Sequence, residues 1–178
     1  MRVLVIYAHP VETSFNAAVH VRVVAALREA GHTVDDCDLY AEGFDPVLSR
    51  SERIDYHDTA VNRRPVQSHV DRLLAAEALV LVFPVWCFGL PAILKGWFDR
   101  VLMPGVAFDI SDPANVRPAL THLRRIAAVT TYGRPRWTAL LMGDPPRKVI
   151  TRYLRVLTGG RARITYHAHY HMNVSTDA

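Results

Sequence analysis

Apolar residues fall into two rhythms along this 178-residue chain. Short unbroken runs, at Val3 to Ala8, Leu79 to Phe83 and Ile126 to Val129, alternate with stretches where apolar positions recur every three or four residues. Unbroken runs of this length fit strands buried on both faces, and the longer periodic stretches fit amphipathic helices. Taken in order, the pattern predicts a strand over Arg2 to Ala8, then a helix capped by Thr13 or Ser14 that runs to about Ala30 and stops at Gly31. A weaker strand follows at Val34 to Leu39. Tyr40 to Arg64 reads as a long, polar, irregular loop, and loops of that length are usually functional or mobile. Then come a helix at Val66 to Ala76, the strand at Leu79 to Phe83 and a helix at Ala92 to Met103. Pro104-Gly105 ends that helix, and a loop with an Asp-Pro break spans Val106 to Pro118. The remainder predicts a strand at Arg124 to Thr131, a Gly/Pro turn at Tyr132 to Thr138, a helix at Pro146 to Thr158 and a last strand at Ala162 to Tyr170.

Strands alternating with helices long enough for crossovers require a parallel sheet covered on both faces. Five strands fit an α/β, flavodoxin-like three-layer sandwich with strand order 2-1-3-4-5. Neither repeat nor linker interrupts the pattern, so residues 1–178 are expected to form one domain. In this order the turns after strands 1, 3 and 4 converge on one crevice at the carboxyl edge, where open α/β sheets bind ligands.

Composition narrows the class. Half the residues are apolar and 21% are charged, as in ordinary globular chains. No apolar run approaches the roughly 20 residues that span a bilayer, and the N-terminus lacks a signal-peptide pattern. Cys37 and Cys87 are too few for a disulfide framework and lack metal-site spacing, which fits reduced thiols in the cytoplasm. Net charge is +4, yet from Arg117 onward eleven Lys or Arg face only Asp144 and Asp177. No nucleic-acid motif accompanies this excess, so a solvated basic surface or an anionic small ligand is the expectation.

Each of the three turns carries candidate chemistry. His9, Thr13, Ser14, Phe15 and Asn16 place an imidazole, two hydroxyls and an amide at a helix start. The motif serves either as a plain cap or as a phosphate site, since helix N-termini offer free N–H groups and a positive dipole end. Pro84, Val85, Trp86, Cys87 and Phe88 form an aromatic turn stiffened by proline, which reads as core packing or as the wall of a flat ligand. Thr130, Thr131, Tyr132 and Gly133, followed by Arg134 and Arg136, form a turn where glycine lets backbone approach a ligand. His167, His169 and His171 alternate and so would share one strand face. No carboxylate or cysteine joins them locally, and a polar sheet face or subunit contact is preferred to a metal.

Four segments in this order are similar to one known family: His9-Pro-x-x-Thr-Ser-Phe-Asn16; Cys37-Asp-Leu-Tyr40 with Phe44 to Arg50; Phe83 to Val101; and the Thr-Thr-x-Gly turn at Thr130 to Gly133. They resemble the NAD(P)H:quinone oxidoreductases. These are flavodoxin-like flavoproteins related to bacterial modulator-of-drug-activity proteins and to ancillary subunits of potassium efflux systems. The resemblance implies a bound flavin, FAD or FMN, reduced by NAD(P)H and reoxidised by a quinone or similar small acceptor. By resemblance, His9 to Asn16 hold the phosphate, Pro84 to Phe88 lie along the ring, and Thr130 to Gly133 meet its pyrimidine end. Backbone N–H groups of the Trp86 and Thr131 turns would face charge on the reduced ring. Arg134 and Arg136 become candidates for an NADPH phosphate or an anionic reduced flavin. The resemblance further implies a homodimer, with neither nucleic-acid binding nor membrane insertion.

Two departures stand out. Family members often carry a second Trp where this chain has Cys87. The Tyr and His that assist hydride transfer in quinone reductases fall near Arg136 or Trp137 and on Met142, leaving Tyr132 and Trp137 as catalytic candidates. The expected function is therefore a flavin-dependent NAD(P)H oxidoreductase. The alternative is a flavin-binding regulatory or sensor subunit of a membrane transporter with little turnover.

Overall fold

The computed structural model describes residues 1–112 and 114–174. The proline of the Asp-Pro break therefore lies outside the described residues. Five strands form one parallel sheet: β1 (Arg2–Tyr7), β2 (Thr33–Asp38), β3 (Ala78–Val85), β6 (Arg125–Tyr132) and β7 (Arg163–His169), in the spatial order β2-β1-β3-β6-β7. This is the expected 2-1-3-4-5 order once the short hairpin of β4 (Phe108–Asp109) and β5 (Arg117–Pro118) is set aside. That hairpin was not expected. Two-residue strands carry no periodicity to detect.

Strand position explains the sequence pattern. The central strand β3 is buried along nearly its whole length, whereas the edge strands β2 and β7 are mostly half-exposed. Alternate residues of each strand feed two cores. Leu4, Ile6, Leu79, Leu81 and Phe83 pack with Leu94 and Trp97 on one face. Val3, Val5, Val80 and Val82 pack with Ala17 and Val24 of α1 (Phe15–Glu29) on the other. A fully buried large apolar side chain contributes roughly 1.5–3 kcal/mol relative to exposure, so these two layers dominate cohesion.

The long segment after β2 departs from expectation. It holds a short helix, α2 (Arg50–Ile54), whose Ser49 and Glu52 form a reciprocal capping box. The segment is strapped onto α4 (Ala92–Val101), which follows α3 (Gln67–Ala75) and β3. Arg100 pairs with Glu52 at 2.7 Å and donates to the Asp45 carbonyl, both charged side chains being largely buried. Gly96 permits the close approach: a Cβ there would lie 2.2 Å from the Pro46 carbonyl oxygen. Burial alone would raise the Glu52 carboxyl, but hydrogen bonds from Ser49 and the Arg100 guanidinium outweigh it and hold the group below its ordinary range.

Two further differences lie near the carboxyl edge. The turn expected at Tyr132 to Thr138 is shorter, because its last three residues open a helix, α5 (Arg136–Leu141). The helix expected at Pro146 to Thr158 begins as α6 (Pro145–Lys148), widens into a π turn at Val149–Tyr153 and ends as α7 (Leu154–Leu157).

Candidate functional site

The parallel register brings Tyr7 opposite Val82, and Pro84 opposite Thr131, so β1, β3 and β6 end close together. The three turns that follow meet across this edge. The His9 and Trp86 rings lie 5.6 Å apart, and Asn16 Nδ2 donates to Thr131 Oγ1 at 3.4 Å.

In the first turn, Ser14 rather than Thr13 caps α1, its Oγ accepting from the Ala17 N–H at 3.1 Å. The N–H groups of Phe15 and Asn16, in the first turn of the helix, have no intrahelical acceptor. His9 Nδ1 accepts the Val11 N–H at 3.1 Å. In the neutral ring the proton is then on Nε2, which makes His9 a donor. Thr13 is exposed on the outer side of the turn. Phe15 is also exposed and tilts against His169, with ring centroids 5.4 Å apart.

The Trp86 turn closes in two residues. Trp86 N–H donates to the Gly89 carbonyl and Gly89 N–H to the Trp86 carbonyl, at 3.3 and 2.8 Å. The Trp86 N–H is therefore engaged within the turn itself. The central pair, Cys87 (φ 49°) and Phe88 (φ 56°), is left-handed at both positions. Such hairpin turns favour Asn-Gly, and non-glycine residues in this region cost on the order of 1–3 kcal/mol each. The strained geometry turns Trp86 (42% exposed) and Cys87 outward beside the cleft.

A cavity of about 380 Å³ is lined by Pro84, Val85, Trp86, Cys87, Thr131 and Gly133, with Met172 and Asn173 at its side. A recess of about 110 Å³ adjoins it between Val85, Cys87, Phe88, Tyr132, Gly133 and Arg134. Two buried oxygens at this edge, Asn16 Oδ1 and Thr130 Oγ1, have no partner among the described residues. Leaving such groups unpaired costs about 1–3 kcal/mol each, a cost that a ligand carrying polar hydrogens would relieve.

Tyr132 is placed differently from the other candidates. Its ring lines the recess, but the side chain is only 2% exposed. Its hydroxyl donates to Asp144 Oδ1 at 2.6 Å and meets the Tyr166 hydroxyl at 2.6 Å. Burial, then the bond to Asp144, pushes the Tyr132 phenol far up, and burial also raises Tyr166. Both therefore stay protonated. Arg136 and Trp137 lie on α5, exposed, and line neither cavity. Asp144, Tyr166 and the Met172–Asn173 contact were not anticipated, because each reaches the site from far along the chain.

The histidine row is broken. His167 and His169 lie on β7, but His171 leaves the strand with φ 65°. Elsewhere, the buried Cys37 thiol, Glu42 and His69 come together. Trp97 Nε1 already donates to His69 Nδ1 at 3.3 Å, and Arg72 holds both Glu42 oxygens at 2.8 and 2.9 Å. Burial raises the Cys37 thiol and lowers His69, so both are held neutral in this network.

Known proteins share this fold. Residues 1–159 match the family of the flavodoxin-like fold. A rat NAD(P)H dehydrogenase [quinone] 1 is 34% identical over 148 residues, covering 74% of this chain and 54% of its own. An uncharacterized NAD(P)H oxidoreductase of Haemophilus influenzae is 37% identical over 117 residues, covering 65% and 57%. The chain thus spans about half the length of these curated relatives. Among solved structures, NAD(P)H:quinone oxidoreductase from Methanothermobacter marburgensis superposes with TM-score 0.85 at 25% identity, over 100% of this chain and 90% of that one. A Streptococcus mutans protein gives TM-score 0.84 at 28% identity, over 99% and 91%.

Proposed function

We propose that this chain, which belongs to the family of the flavodoxin-like fold, binds a flavin across its three convergent turns and moves hydride from NAD(P)H to a quinone or similar acceptor. The observation that carries this reading is the juxtaposition, at one edge of the sheet, of a donor-rich helix start, an aromatic turn that walls a cavity, and two unpaired buried oxygens. That donor set fits the group: free N–H groups for phosphate, apolar walls for a ring, and acceptors for its N–H edge.

The flavin, when bound, supplies the two-electron chemistry, and the protein supplies binding, orientation and electrostatics. His9 Nε2–H and the N–H groups of Phe15 and Asn16 hold the phosphate. Pro84 to Phe88 shield the ring from water. Cys87 and Phe88 present the N–H groups that the turn's own pairing does not use. Thr130 to Gly133 meet the polar edge, and Arg134, at the rim of the recess, offers a positive charge to an anionic reductant. Arg136, the exposed first residue of α5, offers a second cation for a phosphate of NADPH.

The relatives' names favour a quinone acceptor. Two copies are expected to pair, as the resemblance implies, with the exposed ring wall near the contact; molar mass in solution tests this. Dependence on NAD(P)H and an exposed free thiol fit the reducing cytoplasm. A regulatory flavin subunit with little turnover is the second reading. It is favoured because the Tyr132 hydroxyl is already engaged and Trp137 lines neither cavity. Steady-state oxidation of NADH and NADPH with a soluble quinone separates the two. Turnover supports the enzyme, whereas a bound flavin that neither nucleotide reduces overturns it. The mass of the released cofactor distinguishes FMN from FAD.

A further inference from the structure

The outer face of α5 is apolar where a solvent-facing helix is normally polar. Thr138 and Ala139 face inward, while Trp137 (63% exposed), Leu140, Leu141 (77%) and Met142 project outward. Trp137, Leu140 and Leu141 on this short helix, with Met142 just past its end, form the kind of exposed patch that marks an interaction surface. Cations surround it. Arg134 and Arg136 precede the patch, and Leu140 shares a groove of about 340 Å³ with Arg147, Lys148 and Arg152. All five cations are exposed, and none makes an ion pair among the described residues. Asp144, the acid at this groove, is buried and bonded to Tyr132.

Which occupant suits this surface follows from its charge. A twofold contact that set this patch against itself would bring cations to cations, with no exposed acid in the patch among the described residues to compensate. An apolar centre with Trp and Leu, ringed by Arg and Lys, instead matches a surface that is anionic outside and hydrocarbon beneath. We propose that α5 and its flanking cations dock this protein peripherally on an anionic phospholipid surface. The mode is surface contact: no helix of the described residues is long and apolar enough to cross a membrane. Gly133 and Arg134 line the recess beside the aromatic turn, and α5 starts at Arg136, so docking sets the mouth of the cleft near the lipid. If the quinone-reductase reading holds, on which this second step rests, the acceptor class is a quinone dissolved in the membrane.

The test is co-sedimentation of the purified chain with vesicles of phosphatidylcholine alone and with about one-third phosphatidylglycerol. It needs neither flavin nor turnover, so its failure is separate from failure of the enzymatic reading. Binding is expected only with phosphatidylglycerol, and should weaken about tenfold or more near 1 M salt, where the screening length falls to roughly 3 Å. Leu141→Ser and the exposed charge reversal Lys148→Glu should each weaken vesicle binding at least about fivefold while leaving molar mass in solution and turnover with a water-soluble quinone unchanged. No binding to either vesicle, equal binding to both, or a change of oligomeric state in Leu141→Ser without loss of vesicle binding would each overturn the proposal. Capture by an immobilised acidic polypeptide without vesicle binding would reassign the surface to a protein and overturn it as well.

Discussion

Replacing Tyr132 by Phe removes one oxygen from the most buried polar network beside the cleft. That oxygen donates to Asp144 Oδ1 and accepts from Tyr166, both at 2.6 Å. The direction of the second bond follows from proton count: Tyr132 has one proton and gives it to the carboxylate, so Tyr166 must be the donor. Asp144 is 5% exposed, sits at φ 46° and starts α6. Its bond to Tyr132 therefore ties the segment containing α5 to the end of β6. A hydrogen bond to a charged group contributes about 1.5–3 kcal/mol, and Phe also strands the Tyr166 proton. The expected loss is about 2–3 kcal/mol, which for a chain of this size lowers Tm by roughly 5–10 °C. Urea unfolding followed by circular dichroism, on wild type and Tyr132→Phe, measures it. Asp144→Asn is the control: Asn accepts the same hydrogen bond and tolerates the left-handed backbone, so it should lose about half as much. A Tyr132→Phe variant within about 0.5 kcal/mol of wild type would refute the clamp.

Other consequences are equally direct. Gly96→Ala places a methyl against the Pro46 backbone and should cost at least about 2 kcal/mol in the same unfolding assay, because backbone cannot step aside as a side chain can. Cys87→Gly relieves a left-handed residue without removing a hydrogen-bonding group, and should raise stability by about 1 kcal/mol. His69 is depressed below its ordinary 6.5 by burial, so the unfolded chain binds the proton first. Stability is then present above about pH 6.5 and falls as pH drops through the folded value. A chemical-denaturation series from pH 8 to 5 should show that slope, reduced in His69→Gln. Alkylation by N-ethylmaleimide should label the exposed Cys87 and spare the buried Cys37, as intact-protein mass and peptide mapping can show.

The strand order was legible because burial differs so sharply between positions. Leu79 to Phe83 is an unbroken apolar run since β3 has a strand on each side and helices on both faces. The first turn was legible from Ser14 and Asn16. Other parts were hidden for identifiable reasons. Arg134-Pro-Arg-Trp137 reads as a turn, but Pro135 ends the turn and leads into α5. Ser49 and Glu52 carried a visible capping-box signal within an apparently irregular stretch, and that signal was missed. The left-handed pair at Cys87 and Phe88 could not be anticipated, because neither residue is a usual choice for such a turn. The links from Tyr132 to Asp144 and Tyr166 depend on a tertiary fold that local pattern does not encode.

The most direct test of the three-turn flavin site is a titration of purified, cofactor-stripped protein with FMN and with FAD, followed by flavin fluorescence. About one flavin per chain is expected, with at least one of the two binding tightly. Asn16→Ala, at the start of α1 beside Thr131, and Gly133→Val, in the cavity wall, should each weaken that binding at least about tenfold, the first by losing a polar contact and the second by filling the space the ring needs. Failure of both flavins to bind the folded wild-type chain, or undiminished binding in both variants, would contradict the account.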